Sequence, residues 1–129
     1  MSHVRIQSTD TDYAHRISTA HHTLIADEPA ALGGQDQGMA PFDLYLASLA
    51  ACTAITLRMY AQKKGWDLGE FSAELSSERD ADGKLHVHRK LHASAALSDA
   101  QWERLLDVVA RTPVTLVMRE GATITSERA

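Results

Sequence analysis

The stretch "DLYLASLAACTAITLRM", Asp43 to Met59, carries the only cysteine of the chain, Cys52, and no charge between Asp43 and Arg58. A cysteine attacks a peroxide oxygen or a disulfide as the thiolate. A free thiol titrates near about 8.5, so sulfur chemistry at neutral pH needs a neighbour that stabilises the anion. Ser48, Cys52 and Thr56 recur at intervals of four, a small polar stripe down one helix face. That stripe suits hydroxyl groups around a reactive sulfur, and it equally suits close approach by another helix.

Three sources of stabilisation present themselves. The helix dipole is a poor one: eleven residues separate Pro41 from Cys52, roughly 16 Å of helix, and the dipole fades within a turn. Asp43 lies nine residues before the sulfur, about 900° of rotation and so on the opposite face, more than two turns away. A carboxylate at the sulfur would have to come from a break in the helix or from another subunit. For a cation the chain offers Arg16, Arg58 and Arg89. In "KLHVHRKLHAS" the odd positions Leu85, Val87, Leu91 and Ala93 form an apolar strand face that includes Arg89. A core-facing arginine wants an anionic partner, although a snorkelling strand-end arginine fits the same pattern.

Other constellations are weaker. His86, His88 and His92 fall on one strand face, but Lys84 and Lys90 share it and oppose a dication, so no metal site is expected. His21 and His22 are expected to alternate across a strand. "GGQDQG" from Gly33 lacks the Lys-Ser/Thr ending of a phosphate loop, no dinucleotide fingerprint surrounds it, and no cofactor is expected. Neither a Ser-His-Asp arrangement nor a catalytic carboxylate pair stands out.

The elements that must position these residues follow from local pattern. Residues 3–9 and 13–26 are rich in β-branched side chains and separated by "DTD", which predicts two antiparallel strands. Residues 27–41 hold three glycines and two prolines and predict a loop. From Pro41 to Lys64 the pattern predicts a helix, apolar all round in its first turns and ended by Gly65. Two strands joined at Asp82-Gly83 come next, then a helix capped by Ser98 and Gln101 with Trp102, Leu105, Leu106, Val109 and Ala110 as its apolar stripe. Thr112-Pro113 caps and begins a short helix closed by Gly121, and "ATITSE" predicts a last strand. The fold class is α+β with a mainly antiparallel sheet, and the 129 residues suit a single domain. A helix apolar on every side needs more cover than so few elements supply, and a partner chain would provide it.

Composition narrows the partners. Apolar content of 44% with 23% charged residues is that of a globular protein. No run of about eighteen apolar residues stands out to cross a bilayer, and no secretory signal precedes the first strand, so no membrane contact and a cytoplasmic address are expected. One cysteine makes no intrachain disulfide. A formal net charge of −4 disfavours a general nucleic-acid binder. Small molecules or another protein chain remain.

The stretch "DEPAALGGQDQGMAPFDLYLASLAACTAITLRMYAQKKGW", residues 27–66, resembles the OsmC/Ohr family: a Gly-rich loop, a proline, an acidic position, then an Ala-Cys-Thr helix. The likeness continues through "AELSSERD" and the Trp102 helix to "TPVTLVM". It implies an α+β fold built as an intertwined homodimer, with the central helices between two sheets and the active sites at the subunit interface. It also implies reduction of organic hydroperoxides by a cysteine pair, of which the peroxidatic member is Cys52. The position of the resolving cysteine is Thr112. Peroxidase members carry a Glu directly after the proline, paired with an Arg that polarises the peroxide; here Phe42 follows Pro41, and Asp43 comes one residue later, as in other branches.

The resulting expectation is a homodimer in which Cys52, assisted by Asp43 and Arg89, reduces a small hydrophobic hydroperoxide. The sulfenic acid so formed needs an external thiol reductant, or a disulfide between the two Cys52 residues of a dimer, because Thr112 cannot resolve it and is expected to act as a helix cap. The alternative is a non-enzymatic dimer of the same fold that binds a small hydrophobic ligand at the subunit interface.

Overall fold

The computed structural model describes residues 2–129, which form two compact units, one ending at Tyr45 and one spanning Leu46–Ala129. The order of elements is three strands, β1 (Arg5–Ser8), β2 (His15–Ser18) and β3 (Thr23–Ala26), a helix α1 (Pro41–Lys64), two strands β4 (Phe71–Arg79) and β5 (Leu85–Ala93), and helices α2 (Asp99–Val109) and α3 (Pro113–Glu120). The α+β class and the antiparallel pairing agree with the sequence.

In the first unit β1, β2 and β3 form an antiparallel meander, with Ile6 opposite Ile17 and Ile17 opposite Leu24. The stretch expected as one strand over 13–26 is two. The Thr19 amide donates to the His22 carbonyl at 2.8 Å, and the Thr19 hydroxyl accepts from the His22 amide at 3.2 Å. His21 and His22 therefore sit in this turn rather than alternating across a strand.

The glycine-rich loop is organised by a carboxylate. Asp27 is buried, and its two oxygens accept from the amides of Glu28 at 2.7 Å, Gln35 at 3.2 Å and Gln37 at 3.1 Å. Gly34 and Gly38 complete the wrap, since a Cβ at either would run into the carbonyl of Glu28 or of Ile25. Burial pushes the Asp27 carboxyl up, but the amides of Gln37, Glu28 and Gln35 outweigh it, with a smaller contribution from His15, and hold it below its ordinary value. A depressed folded-state value means that the stabilisation is present above the unfolded carboxyl value of about 3.9 and is lost as pH falls through the folded one. Asp27→Asn presents an amide donor to backbone donors. It should lower the melting midpoint at pH 7, and the gap to wild type should close in acid below the ordinary carboxylate range, as followed by circular dichroism.

The second unit holds the main core: Leu57 and Ala61 of α1, Leu68, and Leu105 and Val109 of α2, flanked by Tyr60, Trp66, Phe71, Leu91, Leu97, Trp102 and Val108. α1 ends as expected at Gly65, where the amides of Gly65 and Trp66 return to the carbonyls of Gln62 and Ala61 at 3.2 and 2.8 Å. β4 and β5 pair in register from Phe71–Ala93 to Arg79–Leu85, around a loop in which Gly83 takes φ of 83°. The capping box of α2 is complete, with Gln101 N donating to Ser98 Oγ and Ser98 N donating to Gln101 Oε1. The expected last strand at "ATITSE" is not formed: residues 121–129 are exposed and carry no strand, and Ile124 is 86% accessible.

α1 is buried along one stripe only, as expected of a helix apolar all round in a chain with too few elements to cover it. Only Leu49, Thr53, Leu57 and Ala61, one stripe at intervals of four, are buried, while Ile55 and Met59 stand 55% and 63% exposed. Its 24 residues are also long and apolar enough to cross a bilayer by length and composition, against the absence expected from the sequence. Averaging over eighteen residues forgives the few polar ones that interrupt the apolar run, and core helices of soluble proteins share this property.

Candidate functional site

Cys52 lies in the fourth turn of α1, half-buried, next to the buried Thr53. Rotation of about 100° per residue puts it beside the buried stripe and about 20° from Met59 seven residues on, so the sulfur shares a helix face with the exposed Met59. The Cys52 sulfur makes a hydrogen-bonding contact with Thr56 Oγ1 at 3.8 Å. Ser48 and Thr56 thus follow the sulfur down the same face, as their spacing predicts.

Arg89 comes from the middle of β5, opposite Leu75 of β4. The odd positions of β5 are half-buried and the even ones exposed, which aims the guanidinium at the helices. Its Nη1 donates to Thr53 Oγ1 of α1 at 2.9 Å and to Thr115 Oγ1 of α3 at 3.0 Å, and its Nη2 donates to the Val109 carbonyl at 3.2 Å. That carbonyl closes α2, where helix geometry leaves acceptors unpaired and the dipole is negative, a favourable place for a cation.

Every one of these acceptors is neutral. Among the described residues no carboxylate lies within ion-pairing distance of Arg89, so the core-facing arginine lacks the anion its position calls for. Burial pushes the guanidinium below its usual basicity, and attraction to the Cys52 sulfur pushes the other way. The sulfur is within electrostatic reach of Arg89 without being hydrogen-bonded to it. Of five N–H groups, three are engaged, which leaves one on Nη2 and the one on Nε for an incoming acceptor.

The other arginines are placed elsewhere. Arg58 Nη2 donates to the Gly69 carbonyl at 2.9 Å, and Arg16 is exposed on β2. Asp43 belongs to the first unit, in the opening turn of α1, where its Oδ2 accepts from the Ala40 amide at 3.2 Å. This is the task of a residue that closes off a helix N-terminus.

Thr112 is buried at the position preceding α3, with Pro113 as the first helical residue, as predicted. Its hydroxyl does not cap the backbone. It bonds instead to Thr115 Oγ1 at 2.6 Å, and Thr115 Oγ1 reaches the Val109 carbonyl at 3.3 Å. Thr115 was not legible as a site residue. The one hint in the sequence is a second hydroxyl three positions after Thr112, on the same face of a short helix.

The histidine face of β5 gathers no metal-binding set: among the described residues there is no group of three or more His, Cys, Asp and Glu side chains placed to hold an ion. His86 Nε2 pairs with Asp80 Oδ2 at 2.7 Å beside the hairpin loop, and His86, His88 and His92 are exposed.

Residues 34–127 match the family described as OsmC-like protein. The chain belongs to the OsmC family. Solved structures agree on the OsmC fold. A protein of Psychrobacter arcticus, described as an osmotic stress induced and detoxification response protein, superposes with a TM-score of 0.79 at 21% identity over 90% of this chain and 87% of that one. The OsmC-like protein of Mycoplasma pneumoniae gives 0.73 at 18% identity over 92% and 87%. The organic hydroperoxide resistance protein OhrB of Bacillus subtilis gives 0.63 at 20% identity over 92% and 90%. No curated relative matches the sequence.

Proposed function

We propose that this OsmC-family chain is a homodimeric, thiol-dependent peroxidase of a reducing compartment, acting on small hydrophobic hydroperoxides through Cys52. The observation that carries the reading is the Arg89 guanidinium. It is fixed by three neutral acceptors, one of them the hydroxyl of Thr53 beside Cys52, and is free of any carboxylate among the described residues. A charge of this kind has no structural partner to neutralise it and is available to a thiolate and to the oxygens of a peroxide. The names of relatives that resist organic hydroperoxides support the same reading.

The chemistry balances with one protein thiol. The Cys52 thiolate attacks the terminal oxygen of ROOH, an S–O bond forms as the O–O bond breaks, and the departing alkoxide takes a proton to leave as ROH. The sulfur is oxidised to a sulfenic acid while the peroxide is reduced. An external thiol then condenses with the sulfenic acid, releasing water and leaving a mixed disulfide, and a second thiol frees Cys52 and departs as the oxidised reductant. Thr112 has no part in these redox steps, and Asp43 serves the site by shaping the start of α1.

Incubation with cumene hydroperoxide tests the proposal. Wild type should gain a sulfenic adduct on Cys52, trapped by dimedone and read by mass spectrometry, and should consume peroxide when a dithiol is present. Cys52→Ser should do neither. Equal, slow loss of peroxide in both proteins overturns the reading.

A groove of about 420 Å³ lined by Ala54, Ile55, Arg58, Met59 and Phe71 favours the second reading, a non-enzymatic dimer that binds a small hydrophobic ligand. Under that reading an apolar fluorescent probe should bind wild type and Cys52→Ser equally well, with no peroxide turnover in either.

A further inference from the structure

The hydroxyl network behind Arg89 holds one side chain with no step in the peroxide chemistry and no task in the core. Thr115 is buried in the first turn of α3, and its oxygen meets three groups: Arg89 Nη1 at 3.0 Å, Thr112 Oγ1 at 2.6 Å and the Val109 carbonyl at 3.3 Å. We infer that Thr115, backed by Thr112, is a positioning residue that holds the Arg89 guanidinium against α1 at Thr53, the residue next to Cys52. The inference rests on the peroxidase reading of Cys52 and Arg89.

One assignment of protons satisfies every contact. A hydroxyl has a single hydrogen and two lone pairs. Thr115 accepts from Arg89 and from Thr112, which fills both lone pairs, and it donates its own hydrogen to Val109. The Val109 carbonyl then accepts from Thr115 and from Arg89 Nη2, which fills its lone pairs as well. The ring of contacts Arg89, Thr115, Val109 is closed, and no buried side-chain polar atom of the described residues is left without a partner. Turning the guanidinium plane about the Cδ–Nε bond would break the bonds to Thr115 and to Val109 together.

Thr53, the other hydroxyl on Nη1, is tied back to its own helix through the Leu49 carbonyl at 2.7 Å. Thr115 holds the same Nη1 from α3 and also donates to the Val109 carbonyl that receives Nη2, so it ties together the two points of the fork. Two points are needed to orient a planar group, and a misplacement of about 1 Å is enough to weaken electrostatic assistance. Thr112 stands where the family resemblance places a resolving cysteine, and here its hydroxyl locks the rotor of Thr115. A redox position has become a geometric one.

The test uses the full chain and the alkylation of Cys52 by two reagents of like shape, anionic iodoacetate and neutral iodoacetamide. The ratio of their rates reports a positive charge held beside the sulfur, and a general loosening of the fold raises or lowers both together. Arg89→Gln should lower the iodoacetate to iodoacetamide ratio about fivefold, the effect of one unit charge at short range in a watery surround. Thr115→Val keeps the shape and removes the hydroxyl. It should lower the ratio about threefold, and Thr115→Ser should restore it. If Thr115→Val does not fold, Thr112→Val carries the same test and should lower the ratio in the same direction. A ratio unchanged in Thr115→Val and Thr112→Val, with Arg89→Gln lowered, overturns the positioning role and leaves the peroxidase reading standing. A ratio unchanged in Arg89→Gln overturns the reading of Arg89 and the inference with it.

Discussion

Arg89→Gln should slow the Cys52-dependent consumption of cumene hydroperoxide by about a hundredfold, on the order of 2.7 kcal/mol of lost transition-state stabilisation. In the proposed step the negative charge of the thiolate would spread over sulfur and two oxygens, beside a guanidinium whose remaining N–H groups have no acceptor among the described residues. Glutamine keeps a donor and loses the charge. Arg89→Lys keeps the charge and loses the fork, so it should fall between the two, because an ammonium cannot reach Thr53, Thr115 and Val109 at once. The measurement is kcat/KM at saturating dithiol, with thermal unfolding of each variant beside it. Loss of three hydrogen bonds to Arg89 should also cost about 1 to 3 kcal/mol of stability. If the rate of Arg89→Gln equals that of wild type in a folded protein, the guanidinium is only a staple between β5 and the three helices.

Much of this arrangement is legible in the sequence because it follows from local period and from single decisive residues. The alternation in "KLHVHRKLHAS" places Arg89 on the half-buried face, Gly65 ends α1, and Ser98 with Gln101 starts α2. The failures share a cause: each depends on what a segment meets, not on what it contains. The turn at Thr19–His22 has no glycine, proline or asparagine to mark it, and it forms because Ile17 must pair with Leu24 as well as with Ile6. "ATITSE" has the right residues for a strand but no strand beside it to complete a ladder. The loop at Gly33 reads as a loose connection because nothing local shows that Asp27, eight and ten residues upstream, gathers the amides of Gln35 and Gln37. Thr112 stands ahead of α3, as Thr112-Pro113 predicts, yet its hydroxyl goes to the second hydroxyl at close range, Thr115, and not to the helix amide. Arg89 was expected to find an anion. Its protein partners are neutral oxygens, and this vacancy of charge is the feature that points to chemistry.

Ile55→Glu or Met59→Lys should convert a dimer of this protein into monomer at micromolar concentration, read as a halved mass by sedimentation or light scattering. The buried stripe of α1 runs through Leu49, Thr53, Leu57 and Ala61, and Ile55 lies about 200° round from Thr53, 55% exposed. With Met59 it forms an exposed apolar strip continued by Ala54 and Phe71, a poor surface to leave in water. A two-fold dimer meets each substituted residue twice, so a charge costing about 2 kcal/mol at each site weakens association by about 4 kcal/mol, close to a thousandfold in Kd. Because Cys52 lies on the same helix face as Ile55 and Met59, a partner that covered them would also close over the sulfur and shield it from water, which would strengthen the pull of Arg89. The monomeric variants should therefore keep Cys52 and Arg89 in place and still lose most of their peroxide turnover. A wild type that sediments as a monomer and is fully active removes both the interface and the need for it, whereas a monomer recovered only from lipid or detergent would assign the same strip of α1 to a bilayer.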